Sequence, residues 1–269
     1  MRHVACVEYD GANFSGWQAQ KHNVRTVQQQ VEKALSKVAD HDIEIITAGR
    51  TDTGVHATHQ VIHFDSDAER DTFAWCRGAN RFMDQDVRVL WVRPVSSEFH
   101  ARFSALSRSY RFIIYNNPIQ SAIFRSASSH EYRSLDPMRM SEAGRSLLGQ
   151  HDFSSFRAAG CQAHSPIRTV SEFYLDSCAD WIWFDIKANA FLQHMVRNIA
   201  GSLIEVGCGK REIGWIKDLL RKKDRTLAGI TAPPHGLYLT GVEYPKEFDI
   251  PSDTNLVRFW GDQVYTESE

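Results

Sequence analysis

Ile43-Glu44-Ile45-Ile46-Thr47-Ala48-Gly49-Arg50-Thr51-Asp52-Thr53-Gly54-Val55-His56 begins as an apolar, β-branched run and ends in glycines and short polar residues. Residues 43–48 read as one strand and residues 56–65 as another, with 49–54 as the tight connection between them. Upstream, residues 3–10 are a short apolar run closed by Asp10-Gly11. Thr26 followed by Gln29 has the spacing of a capping box, and Val27, Val31, Ala34, Leu35 and Val38 form one stripe at helical spacing. An amphipathic helix is predicted there. Downstream, 73–83 reads as a second helix and 87–95 as a further strand. The order is β-α-β-β-α-β, the split βαβ arrangement, which sets the fold class as α+β with helices on one face of a sheet.

The second half repeats this vocabulary less regularly. Residues 109–115 read as a strand, and Asp136-Pro137 opens a helix running to about Leu148. A hairpin follows, 170–177 and 181–190 around Cys178-Ala179-Asp180. In it Ile182, Phe184, Ile186 and Ala188 alternate with Trp183, Asp185, Lys187 and Asn189, so one face is predicted buried and the other polar. Residues 194–206 and 213–220 read as helices, 236–244 as a last strand, and 154–168 as an ordered loop. Two similar α+β halves meeting near 99–107 are expected.

A chain of 269 residues, 42% of them hydrophobic, can bury at least one sizeable core. No apolar run approaches the roughly 20 residues a bilayer requires, and Met1-Arg2-His3-Val4 leads into no apolar segment ahead of a cleavage site. Membrane and secretory roles are therefore not expected. Cys6, Cys76, Cys161, Cys178 and Cys208 are odd in number, scattered and never in a C-x-x-C pair. This disfavours a disulfide framework and a structural zinc, and favours reduced thiols in a cytoplasmic protein. The net charge of −2 hides an asymmetry: seven acidic and two basic residues lie from Glu243 onward, so the body is mildly basic and the tail acidic. Between Arg102 and Arg145 every basic residue is arginine, a type suited to forked phosphate contacts. Charge permits a nucleic acid partner without demanding one.

Asp52 is the most concentrated chemical signal. It sits on a tight connection after a strand, bracketed by two glycines, with the Arg50 guanidinium two residues before it. A nearby arginine favours the charged carboxylate, which suits a nucleophile or base and not a general acid. On spacing alone, an Asx turn in a β connection fits equally. A glycosidase of the usual kind needs a second carboxylate across the scissile bond, and this segment has none.

Gly49 to His56 resembles the R-T-D-x-G-V-H motif of the tRNA pseudouridine synthase A family. The likeness extends through Glu8-Tyr9-Asp10-Gly11, Gly16-Trp17-Gln18, Phe99-His100-Ala101-Arg102-Phe103-Ser104-Ala105, the run from Arg108 to Tyr115, Asp152-Phe153-Ser154-Ser155-Phe156-Arg157, the run from Lys187 to Asn198, and Gly236-Leu237-Tyr238-Leu239. Only residues beyond about Asp249 lack a counterpart. The resemblance implies two ferredoxin-like, RRM-like halves forming a mixed, largely antiparallel central sheet flanked by helices. Residues 1–104 would carry the aspartate motif, 105–248 would complete the site, and 249–269 would be an acidic tail. It implies Asp52 as nucleophile, Tyr110 as the aromatic packing on the target uracil, Arg197 as the basic partner of Asp52, Leu237 as a lining of the base pocket, and Arg50 as the arginine that helps hold the base out of the stack. It also implies a homodimer acting on uridines at positions 38, 39 and 40 of the tRNA anticodon stem-loop, with no cofactor, metal or membrane.

The residue types suit that chemistry. Conversion of uridine to pseudouridine breaks the C1′–N1 bond, rotates the base and joins C1′ to C5 without redox change. One carboxylate can attack C1′ or C6, or act as base at C2′. The nucleotide must be everted, and aromatic and arginine faces replace the stacking it loses. By default, however, Tyr110 is a core tyrosine with a satisfied hydroxyl and Leu237 is ordinary core. Arg197 has independent support, since it lies away from Met195 and Ile199 on its helix and one turn before Gly201, leaving room beside it for another chain segment.

Competing sites fare worse. His59 and His63 share a strand face roughly 13 Å apart, with His56 pointing the other way, which is wrong for a metal. Cys161 and His164 lack a third orienting group, and Gly207-Cys208-Gly209-Lys210 lacks the upstream glycine and strand of a P-loop. The alternative from another class is a non-catalytic RNA-binding protein using Trp181, Trp183 and Arg111 as an exposed sheet surface. Asp52 separates the two, because a carboxylate beside phosphates helps an isomerase and only repels in a pure binder.

Overall fold

The structure, a computed structural model, describes residues 1–20, 24–252 and 257–259. Strand β1 (Arg2–Tyr9), helix α1 (Val27–Ala39), strands β2 (Ile46–Thr47) and β3 (His56–Asp65), helix α2 (Thr72–Phe82) and strand β4 (Val87–Pro94) follow the predicted β-α-β-β-α-β order. Strand β5 (Ser107–Asn116), strand β6 (Ser129–Glu131), helix α3 (Pro137–Gly144), strand β7 (Gly149–Asp152), the hairpin β8 (Ile167–Cys178) and β9 (Trp181–Ala188), helices α4 (Met195–Gly207) and α5 (Trp215–Lys222), and strand β10 (Leu237–Glu243) follow among the described residues. The ten strands form one sheet, ordered β4-β1-β3-β10-β5-β9-β8-β7 with β2 on β3 and β6 on β5. Among the described residues only β10/β3 and β5/β6 pair in parallel, so the sheet is mixed and largely antiparallel.

Strand β10 joins the strands of the first half to those of the second. Tyr238 and Leu239 run parallel to His56 and Ala57, while the other edge of β10 pairs antiparallel with β5. The catalytic candidates gather at this junction. On one face of β5, β9 and β10, Tyr110, Phe112, Leu237, Leu239, Phe184 and Ile186 are cross-strand neighbours and belong to the main core.

Several local expectations change. The strand expected over 43–48 shrinks to Ile46–Thr47, because the Ile43 and Ile45 N–H groups donate to Ser36 Oγ and Glu32 Oε1 on α1 instead of to a neighbouring strand. Thr26 does occupy the N-cap of α1, but its hydroxyl donates to Gln29 Oε1 (2.8 Å) and caps no helix N–H. Helix α3, N-capped by Asp136, ends at Gly144 and continues as a short 3-10 turn, and β6 and β7 have no predicted counterpart. The second face of the hairpin is not wholly polar. Trp181 and Trp183 are buried with Ile113 and Tyr238 in a smaller apolar cluster, against which Tyr115, Phe124, Val257 and Phe259 pack. Tyr115 belongs to β5, but Phe124 comes from a loop and Val257 and Phe259 from the tail, which a strand's own period cannot reveal. The rest of the acidic tail, 253–256 and 260–269, lies outside the described residues.

Helix α4 is close-packed along its length, and Gly201 explains how. A Cβ there would lie 1.7 Å from the Ile230 carbonyl oxygen, so only glycine lets residues 230–232 lie against the helix. Replacing Gly201 with Ala is expected to cost roughly 3 kcal/mol through overpacking and to lower Tm by roughly 6–12 °C. A thermal melt unchanged from the parent would refute this packing.

Candidate active site

The loop between β2 and β3 is held from several sides. The Val55 N–H donates to the Asp52 carbonyl (3.1 Å), closing a turn around Thr53 and Gly54. Trp17 N–H donates to the Thr51 carbonyl (3.1 Å), Thr51 Oγ1 bonds the Tyr9 hydroxyl (2.8 Å), and Arg108 Nη2 donates to the Ala48 carbonyl (2.9 Å). Gly16 makes the close approach possible. Its φ is +90°, and a Cβ would come within 2.9 Å of the Thr51 carbonyl oxygen. The backbone under Asp52 is thus fixed before any ligand arrives.

The Asp52 side chain is 31% exposed, neither sealed in the core nor free in solvent. Arg197 Nη1 and His194 Nε2 each lie 3.4 Å from the same oxygen, Oδ2. Arg197 is itself fixed: its Nε donates to the Ala232 carbonyl (2.9 Å), and Ala232 N–H donates to the Arg197 carbonyl (3.1 Å). The segment carrying Ala232 is the one that Gly201 admits, so the room that the sequence predicted beside Arg197 is occupied by chain that aims the guanidinium.

Tyr110 is 9% exposed and meets Phe191 edge to face at 5.0 Å between ring centroids. Burial pushes its hydroxyl well above the ordinary tyrosine range, and the Asp52 charge adds to the effect. Its hydroxyl makes no hydrogen bond among the described residues, unlike the satisfied core tyrosine that its position alone suggests. Leu237 is buried opposite Phe112, on the same sheet face as Tyr110. Arg50 is exposed and forms no ion pair or hydrogen bond among the described residues. The structure therefore brings Asp52 and Arg197 together directly, sets Tyr110 within electrostatic reach of Asp52, and leaves Arg50 open to solvent beside them.

His194 is the residue that the sequence reading gave no role. It stands three positions before Arg197, at the N-cap of α4, so both side chains lie at the start of that helix. That spacing was a visible signal, but the partner carboxylate is 142 positions away along the chain and only the fold reveals it.

The other candidates have structural tasks. His56 Nε2 faces the His235 carbonyl (3.1 Å), and its ring stacks on Tyr238 at 4.6 Å. His63 Nδ1 accepts from Ala101 N–H (3.0 Å), and burial, helped by the Arg2 charge, pushes its pKa down to about 4. It is a neutral core residue. Among the described residues no group of His, Cys, Asp and Glu side chains is arranged to hold a metal ion. Lys210 pairs with Glu205 at 2.7 Å, and Cys161 Sγ accepts from the Gln193 N–H. Arg111 is 3% exposed and forks onto Asp185 at 2.7 and 2.8 Å, with Nη1 on the Val257 carbonyl. With Trp181 and Trp183 also buried, the exposed RNA-binding face of the alternative reading does not exist. Arg108 and Arg133 are likewise engaged within the protein, by backbone carbonyls and by Glu131, whereas Arg102, Arg125 and Arg145 remain exposed. No helix among the described residues is long and apolar enough to cross a membrane.

A family model described as tRNA pseudouridine synthase matches residues 5–104 and 143–245. The chain is 51% identical over 251 residues to the tRNA pseudouridine synthase A of Colwellia psychrerythraea, covering 93% of this chain and 96% of that one. It is 54% identical over 245 residues to the enzyme of that name from Glaesserella parasuis (91% and 93% covered) and 52% identical over 250 residues to that of Legionella pneumophila (93% and 95%). With likeness of this depth running nearly end to end, the chain belongs to the tRNA pseudouridine synthase family and is an isomerase that turns uridine into pseudouridine in tRNA.

Proposed function

We propose that the protein modifies uridines on the 3′ side of the tRNA anticodon stem-loop, with Asp52 as the reacting carboxylate. The observation that carries this reading is the placement of Asp52: a partly exposed carboxylate on a fixed loop, gripped by Arg197 and His194 and set beside a buried tyrosine whose hydroxyl bonds to none of the described residues. In each chemically available route, at C1′, C6 or C2′, this carboxylate acts first. The net change then balances without an external reagent: C1′–N1 breaks, C1′–C5 forms, C5 loses a proton and N1 gains one.

The remaining residues take their parts around it. Arg197 orients and balances the charged carboxylate, Tyr110 packs on the flipped uracil, Leu237 lines the pocket from β10, and Arg50 helps hold the base out of the stack. Asp52 comes from the half at 1–104, and Tyr110, His194, Arg197 and Leu237 come from the half at 105–248, so the site needs both. A homodimer holding one tRNA jointly is part of the same reading. Incubation of the purified protein with an unmodified tRNA transcript, followed by mass spectrometric mapping, is expected to place pseudouridine in the 3′ arm of the anticodon stem-loop. Product confined to other stems, or no product, would refute the assignment.

A further inference from the structure

We infer that His194 is a positioning residue for Asp52, fixing one carboxylate oxygen so that the other is presented to the uridine; the inference rests on Asp52 being the reacting group. His194 Nε2 and Arg197 Nη1 converge at 3.4 Å on the same atom, Oδ2. Oδ1 accepts no hydrogen bond from any described residue. A carboxylate held at one oxygen and open at the other cannot spin freely and keeps a lone pair facing the cleft, which is the arrangement a near-attack geometry requires.

The backbone around His194 supports this role. His194 has φ 61° and ψ 6°, in the left-handed region that disfavours residues with a Cβ. It stands at the N-cap of α4, where a side chain normally repays its place by accepting from a helix N–H, yet the imidazole makes no such bond. The ring is turned instead to Asp52. The chain just before it is also clamped, because Gln193 accepts from Ala158 N–H through its carbonyl (3.1 Å) and donates its own N–H to Cys161 Sγ (3.5 Å). A strained histidine that caps nothing, held between two fixed points and pointing at the reacting group, is backbone strain kept for a functional contact.

Steady-state kinetics on an unmodified tRNA transcript test this with His194→Ala, His194→Gly and His194→Gln, and with Asp52→Asn as reference. Ala and Gly are expected to lower kcat about 10- to 100-fold, the scale of a misplaced reacting group, while KM for tRNA stays within about twofold. Gln, which keeps an N–H donor, should restore most of the loss. His194→Gly relieves the left-handed strain, so its Tm should equal or exceed that of the parent, and lost turnover then reflects lost positioning and not unfolding. The inference is overturned if His194→Ala keeps kcat within twofold of the parent, or if the whole effect appears in KM. Asp52→Asn separates the two readings. An inactive Asp52→Asn beside fully active His194 variants sinks only the role of His194, whereas an active Asp52→Asn sinks the reading on which it rests.

Discussion

Asp52→Asn should abolish pseudouridine formation while tRNA binding changes by less than about threefold. Asn is nearly isosteric and can still offer a carbonyl oxygen to Arg197 and His194, so the loop, pinned through Gly16, Trp17, Thr51 and Arg108, has no reason to move. What disappears is the negative charge and the nucleophilic or basic lone pair. The expected loss is roughly 10⁴-fold in turnover or more, about 5.5 kcal/mol of barrier. Binding should not weaken, because an anion is removed from the path of a polyanion. Nucleoside mass spectrometry measures the product and filter binding the affinity. Undiminished product would remove Asp52 from the chemistry.

Arg197→Ala should lower kcat by about 10²- to 10³-fold, roughly 3–4 kcal/mol, the scale of losing one aligned charged donor at a reacting centre. Two contacts go at once, Nη1 on Asp52 and Nε on the Ala232 carbonyl. The carboxylate is left to His194 alone, and the segment at 230–232 loses one of its ties to α4. Arg197→Lys is not expected to rescue, since one ammonium cannot reproduce the guanidinium fork that serves both partners. A separate measurement of Kd decides the role: loss of affinity with kcat preserved would make Arg197 a phosphate contact.

The elements legible in the sequence were those whose periodicity and capping are local. The stripe from Val27 to Val38, Asp136 ahead of Pro137 and the alternation from Ile182 to Ala188 all name their elements without reference to distant residues. Residues 43–48 misled because Ile43 and Ile45 look like strand whether their N–H groups meet another strand or side chains of α1. Trp181 and Trp183 misled in the opposite sense, since their cover comes from Phe124 and Phe259. At the site, Asp52 was marked by its glycines and neighbouring arginine, and Arg197 by the gap that Gly201 leaves. His194 was hidden because its meaning depends on a contact across the whole molecule and on a backbone angle that no residue pattern encodes.

Strand β10 has a consequence for biogenesis. His56 and Ala57, which follow directly from the loop that carries Asp52, are covered on one side only by Tyr238 and Leu239. At ordinary ribosomal speed the partner emerges roughly ten to forty seconds after the edge it must cover. During that interval the nascent chain offers an open strand edge to any neighbour. Translation stalled before Leu237 would therefore yield a polypeptide that is both inert and prone to associate, a natural client for the chaperones that wait at the exit tunnel.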